Sequence, residues 1–591
     1  MKSWTLSFGK ISATAPERKG AGKFRIAVFG DFTGRAAKGK IETGDALAKR
    51  PAVLLDVDTI EDVIEGFATT LNLPLGANGA GIEVKLNELD DLHPDELFEN
   101  VEIFQALSGL KQRLNMGSMS EKAVQELQSW SETYGHKVKL PKRSGANAIP
   151  ADRRLSDFQA LIGGSVRQQR TVSAVDDLMA RVVGPHVRAA PSPDTEAMQV
   201  AVDDALSTAM RLVLHHPDYQ AVESQWRSLD LLARSIETDE NLEIVLFDVS
   251  AEEIAADLAA GDDLTRCGLF GLLDQASASV AGVGAGTGGF SALFGLYTFE
   301  ETPPHAELLG RVAKIAAHHG APFFTAISPT FLDQALSERH PLVAGAWDRL
   351  RALPEADYLG IASPRFMLRR PYGAKSDPIS AFRFEEFTNA EGLSGMLWAN
   401  PVVLVAILLA QTYSIDGTDM ALGSVMSLGD IPFHLVNDRY GDQVALPCTE
   451  RNLTTAKMEL AERRGFMPVL SMKGRDEIRL ASFSSMGGKT IAGPWDGPGR
   501  SDALDLARQK TKEKPVEFLQ PVISGSEDVL QAEPEPPAPE PEPVVEVSIG
   551  ISAENEAEMD ELLARFGEDD EVGDDDEDIM DAELAALLEG L

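Results

Sequence analysis

Three stretches of this 591-residue chain carry residue types that could cradle a phosphate. Residues 282–289 (GVGAGTGG) are glycine-rich, but they lack the Lys and Ser/Thr of a P-loop. Nor can a strand–GxGxxG–helix with an acidic residue beyond it be drawn around them. They read as a loop ahead of a strand at Leu293. Residues 30–35 (GDFTGR) follow a strand without any GK[ST] and read as a turn. Gly488, Lys489 and Thr490 end like a P-loop, yet Phe483 stands where its first Gly belongs. The adjacent histidines His215–His216 and His318–His319 point to different helix faces and have no carboxylate or Cys at a metal-ligand spacing, so they are expected at helix ends facing carbonyl groups. No GxSxG, HExxH or CxxC occurs. The residues predict neither a catalytic centre, nor a cofactor site, nor a metal site.

One polar constellation stands out. Arg365, Arg369 and Arg370 lie in PRFMLRRPYG beside Tyr372, a short distance before Glu385 and Glu386. The planar guanidinium fork matches a carboxylate at two points, so bidentate pairs are expected, either within the fold or between chains. Trp226, Trp347 and Trp398 each sit on an apolar stripe and are expected in the core.

The elements that must position these residues centre on residues 214–250. Pro217 opens a helix whose Tyr219, Val222, Trp226, Leu229 and Leu232 recur at spacings of three and four. Leu242 to Val249 is dense enough in apolar residues for a strand covered on both faces. Ser250 and Glu253 form a capping box for the next helix. Upstream, residues 23–29 and 53–55 read as strands, and Asp58 as the cap of a helix carrying Ile60, Val63, Ile64 and Phe67. Ile82, Val84 and Leu86 alternate as another strand. His93, Pro94 and Asp95 then open a helix through Leu97, Val101, Phe104 and Leu107. Residues 200–214 read as an amphipathic helix. Further strands are expected at 293–299, 322–327 and 359–362, with a helix from Pro304. This alternation predicts an α/β fold with a mainly parallel, covered sheet.

The stretch HHPDYQAVESQWRSLDLL resembles the large subunit of the type VI secretion contractile sheath, the TssC/VipB/ImpC family. LGIASPRFMLRRPYG, LWANP and LPCTERNLTTAKMELAERRGFMPVLSMKGRDEIRLASFSS agree with it in order. FRIAVFGDFTGR, RPAVLLDVDTIEDVIEGF and IEVKLNELDDLHPDELFENVEIFQALSGL resemble, in order, the small subunit, the TssB/VipA/ImpB family. The resemblance implies two interleaved sheath-type units, with residues 1–114 as the small one and 199–500 as the large one; residues 115–198 between them, polar, Pro-containing and without sustained periodicity, read as a linker with short helices. It also implies a polymer around an inner-tube protein, assembled on a baseplate and dismantled by an AAA+ unfoldase, and it gives Cys448 a structural position. After residue 500 the sequence departs from the large subunit, which continues into a helical region and a linking strand. A non-polymerising adaptor, cap or baseplate-associated regulator is therefore the alternative reading.

Composition fits a cytoplasmic protein. Two cysteines, Cys267 and Cys448, argue against a disulfide scaffold. The N-terminus has no apolar signal region, and the nine-residue run 402–410 is less than half a membrane span, so it reads as a buried core helix. The net charge is −39, of which −23 falls from Ser526 onward, where 24 acidic residues face one Arg. The remaining −16 gives no electrostatic reason to hold nucleic acid. Residues 501–591 form a Pro/Glu-rich acidic tail, expected to be mostly disordered. Its two apolar-acidic segments, with Leu562, Leu563 and Phe566, then Leu584, Leu587 and Leu588, are candidates to dock as amphipathic helices on a partner.

Overall fold

The computed structural model describes residues 6–13, 23–74, 81–116, 120–134, 174–187, 195–278, 289–388, 392–437 and 443–496. Its strands are, in chain order, β1 (Phe24–Gly30), β2 (Val53–Leu55), β3 (Thr69–Leu73), β4 (Ile82–Leu86) and β5 (Leu242–Asp248). There follow β6 (Ala292–Phe299), β7 (Phe323–Ile327), β8 (Leu359–Ser363), β9 (Phe366–Met367) and β10 (Trp398–Ala399). The last are β11 (Ser427–Leu428), β12 (Leu435–Asn437), β13 (Gln443–Ala445), β14 (Met467–Ser471) and β15 (Ile478–Leu480).

Nine strands make one sheet in the order β11-β15-β14-β8-β7-β6-β1-β5-β2. Every pairing from β14 to β5 is parallel, and the pairings at either edge are antiparallel. The decisive feature is the place of β1. It comes from the N-terminal unit yet lies between β5 and β6, in register from Phe24↔Leu242 to Gly30↔Asp248 on one side and from Ile26↔Ala292 on the other. All seven of its residues are buried, as a strand flanked and covered on both faces must be.

Alternation along β1 and β5 divides the core. Phe24, Ile26 and Val28 join Leu242, Ile244 and Leu246 under the helices Pro217–Ser235 and Val402–Asp416. Ala27 and Phe29 join Val245 and Phe247 under Ala251–Ala259, Gly268–Ala278 and Pro303–His319. By length and composition the stretch Val402–Asp419 could cross a membrane. Val402 to Ala410 are all buried, however, against β6 and the Pro217–Ser235 helix, so here the stretch is a core helix.

Several expectations are corrected. The helix opened by Pro94 stops at Asn100, Val101 is extended, and a second helix runs over Glu102–Asn115. Leu97, Val101, Phe104 and Leu107 are all buried, so their helical spacing survives the bend, and a β-branched residue accepts the extended backbone readily. Thr59, not Asp58, precedes the helix Ile60–Phe67, and it makes no side-chain cap; the Asp58 N–H is taken by Asp56. Strand β3 follows Ala68, which has a positive φ of 46°, a turn with no Gly to mark it in the sequence. The four histidines do lie at helix ends, His215 and His216 between Thr195–Leu214 and Pro217–Ser235, and His318 and His319 in the last turn of Pro303–His319. His216 accepts from the Asp218 N–H at the start of its helix, His215 faces a carboxylate, and His318 and His319 pack on Phe270. The tail leucines 562, 563, 584, 587 and 588, Phe566 and most of 282–289 lie outside the described residues.

Candidate functional site: the seam between the two units

Trp226 is the apolar anchor of the seam. Helix spacing turns it toward the N-terminal unit, where the rings of Phe32 and Phe67 lie 5.6 and 5.4 Å away. Its indole N–H donates to the Phe32 carbonyl at 3.2 Å, which satisfies the one polar atom of a fully buried side chain. Two helical turns back, the Tyr219 hydroxyl donates to the Leu92 carbonyl at 2.9 Å.

At the carboxyl ends of β1 and β5, acidic and basic side chains of the two units interlock. The capping box that starts the Ala251–Ala259 helix fixes Glu253 by its bond to the Ser250 N–H (2.9 Å). There the carboxylate, fully buried, takes Arg35 at two points (Nε 3.0 Å, Nη2 2.8 Å) and Arg50 Nη2 at 3.0 Å. Burial raises the Glu253 carboxyl, but the bonds from Arg35 and Arg50 outweigh it and leave it below the ordinary value. Asp248 accepts from Thr33 Oγ1 at 2.7 Å, and Asp257 collects the N–H groups of Gly44, Gly268 and Leu269 at 2.7 to 2.9 Å. Two carboxyls have no such cationic partner dominating. Burial pushes Asp31 up to about 6, even though it accepts from the Arg35 and Ala36 N–H groups. Burial likewise pushes Glu252 up to about 7, with Asp31 and Glu253 adding like charge.

The second network is built on Arg369. Its guanidinium bridges two carboxylates: Glu223 at 2.8 and 3.3 Å, and Glu386 at 2.7 and 3.0 Å. The same cation lies 4.3 Å over the Tyr372 ring, and the Tyr372 N–H donates to Glu386 at 2.7 Å. Arg227 completes the group, donating to Glu223 at 2.8 Å and to the Tyr372 hydroxyl at 3.2 Å. Burial alone would raise the Glu386 carboxyl. Arg369 and a bond from His215 instead hold it down at about 2. This network also touches the N-terminal unit, because His93 stacks edge-on against Tyr372 at 5.1 Å and Asp95 accepts from the N–H groups of Ser380 and Ala381.

The predicted arginines therefore separate. Arg369 is buried and engaged within the chain. Arg365 clasps Glu450 through Nε at 2.8 Å, and Arg370 is exposed with its cation 5.4 Å over the Phe433 ring. Trp398 pairs in β10 with Met367, and its carbonyl accepts from Ser224 at 2.7 Å. Sequence reading missed Glu223, Asp31, Arg35 and Arg50. The GDFTGR turn and the Ser250/Glu253 box flagged two of the segments involved, but no spacing rule joins partners 146 to 218 positions apart. Lys489 reaches Asp357 at 2.9 Å on the turn that ends like a P-loop. Among the described residues no group of three or more His, Cys, Asp or Glu is arranged to hold a metal ion.

Comparison with known proteins divides the chain at the same seam. Residues 196–487 match the family described as the EvpB tail sheath N-terminal domain, VipB. Residues 21–128 match the family described as type VI secretion system VipA or Hcp2. A curated relative, the type VI secretion system sheath protein TssC1 of Pseudomonas aeruginosa, is 32% identical over 331 residues, which is 53% of this chain and 64% of that protein. The matched region thus spans less than two thirds of the relative's length. With both profiles matched in order and without overlap, and their residues sharing one sheet, the chain belongs to the type VI secretion sheath proteins and carries a VipA-type and a VipB-type unit on one polypeptide.

Proposed function

We propose that this protein is a structural, non-catalytic subunit of a cytoplasmic type VI secretion sheath, one chain supplying both halves of the protomer. The observation that carries this reading is β1, a VipA-type strand at the centre of a VipB-type sheet. A protomer locked this way moves as a rigid block, so mechanical work must come from repacking between protomers. Many identical interfaces with two arrangements can store assembly energy and release it as motion without nucleotide hydrolysis. Its partners are copies of itself or other sheath subunits, with the inner-tube protein, the baseplate and an AAA+ unfoldase at a further remove. Exposed Arg370, and Arg365 through its outward face, are candidates for contacts between protomers; the leucines and Phe566 of the acidic tail are candidates for an assembly partner.

Electron microscopy of the purified chain, with and without residues 526–591, tests the reading. Long hollow tubes are expected. Monodisperse particles that neither polymerise nor co-assemble with separately expressed sheath subunits would overturn it.

A further inference from the structure

Residues 31–50 leave the end of β1 and lead to β2, at the edge of the nine-stranded sheet. The polar contacts that fasten them to the large unit run mostly to its carboxylates. Asp248 accepts from Thr33, Glu253 from Arg35, Arg50 and the Glu42 N–H, and Asp257 from the Gly44 N–H. These acceptors lie on β5 and on the helix Ala251–Ala259.

The charges at this point do not balance. Asp31, Asp248 and Glu253 are buried, and Glu252 Oε2 is shut off from solvent without a hydrogen-bond partner. Of the cations around them, Arg35 and Arg50 divide between Glu253 and the half-exposed Glu42, while Lys38 donates to the Thr33 carbonyl at 2.7 Å. Tyr297 of β6, whose hydroxyl donates to the Val249 carbonyl at 2.6 Å, brings no charge. Asp31 of the small unit therefore faces the like charges of Asp248 and Glu253, and Glu252 of the large unit faces those of Asp31 and Glu253. Carboxyls packed this way across a buried seam cannot all ionise without weakening it.

We propose that Asp31 and Glu252 form a proton-operated latch between the two units: protonated, they let residues 31–50 seat on the large unit, and ionised, they push that segment off. Burial raises the Asp31 carboxyl to about 6 and that of Glu252 to about 7, both above their ordinary values, so the closed latch binds more protons than the open one. Its stability is greatest at and below the ordinary carboxylate range, falls as pH rises from there through 6 and 7, and is flat beyond. Because residues 31–50 lead into β2, opening the latch also loosens the edge strand that closes the sheet beside β5. The joint holds or yields within one chain, whether or not the chain is part of a polymer.

Hydrogen exchange on the full chain at pH 5 and pH 8, corrected for the intrinsic pH dependence of amide exchange, tests this. The amides of residues 32–48 should open at least about tenfold more at pH 8 than at pH 5, while those of β5 and of the helix Pro217–Ser235 keep their protection at both. Glu252→Gln and Asp31→Asn, made separately so that one serves if the other does not fold, should each reduce that rise by at least about threefold. Equal opening at the two pH values overturns the proposal. So does a rise that neither substitution reduces, which would assign it to other groups, and so does a rise shared by β5 and the helix, which would make it a loosening of the whole fold.

Discussion

Arg369 shows why a buried charge has to be judged by its whole surroundings. Two carboxylates, Glu223 and Glu386, are fully or almost fully buried, and the arginine between them is their main counter-charge. Arg369→Met leaves both exposed to a low dielectric without it, and removing one partner of a buried pair costs about 3–5 kcal/mol. The midpoint of urea unfolding should fall accordingly, and Glu223→Gln/Glu386→Gln in the same background should recover part of the loss. The Glu386 carboxyl lies at about 2, below its unfolded value, so its contribution is complete above the ordinary carboxylate range and is lost only as pH falls through 2. Glu252 has the opposite sign. At about 7 its carboxyl lies above the unfolded value, so its charge opposes folding at higher pH and the penalty fades as pH falls through 7. Glu252→Gln should therefore stabilise the protein by roughly 1–3 kcal/mol at pH 8 and by little at pH 5, which thermal unfolding across that range checks.

Among the elements, the Ala251–Ala259 helix was legible because its start signal is local. Ser250 and Glu253 stand three residues apart, and both reciprocal bonds form. Ser250→Ala should destabilise by about 1 kcal/mol, seen as faster amide exchange in the first turn of that helix. The same locality explains the failures. The bend at Val101 keeps the apolar period intact, so nothing in the spacing betrays it. Strand β3 begins after a left-handed Ala68 rather than a Gly, and so had no turn signal. The histidines sit at helix ends as their spacing suggests, but two of their ring partners, Phe270 and Glu386, come from other elements and leave no local signal.

For the molecule as a whole, the consequence of β1 is that the two units are one folding unit. The large unit alone leaves a slot between β5 and β6, bounded by apolar residues on both faces. Residues 196–496 expressed alone should be insoluble or aggregated, and co-expression of residues 1–134 should restore solubility. A protease cut placed within residues 135–173 of the intact protein should leave both fragments co-eluting in size exclusion until denaturant is added. Separation of the nicked halves in native buffer would contradict a shared sheet.

The sequence by itself determined the class of fold, seven of the fifteen strands including the parallel run from β5 to β8, the double-sided burial of β5, the core tryptophans and the kinship with two sheath subunits. Those properties are written in neighbouring residues: apolar period, caps, and motifs a few tens of positions long. Only the tertiary structure decided that β1 enters the middle of the large unit's sheet, that Glu253 meets Arg35 and Arg50, and that Arg369 turns inward while Arg370 faces solvent. These are contacts mostly across one or two hundred residues, chosen by which buried surfaces and charges match once the chain has closed on itself, and no local pattern records that match.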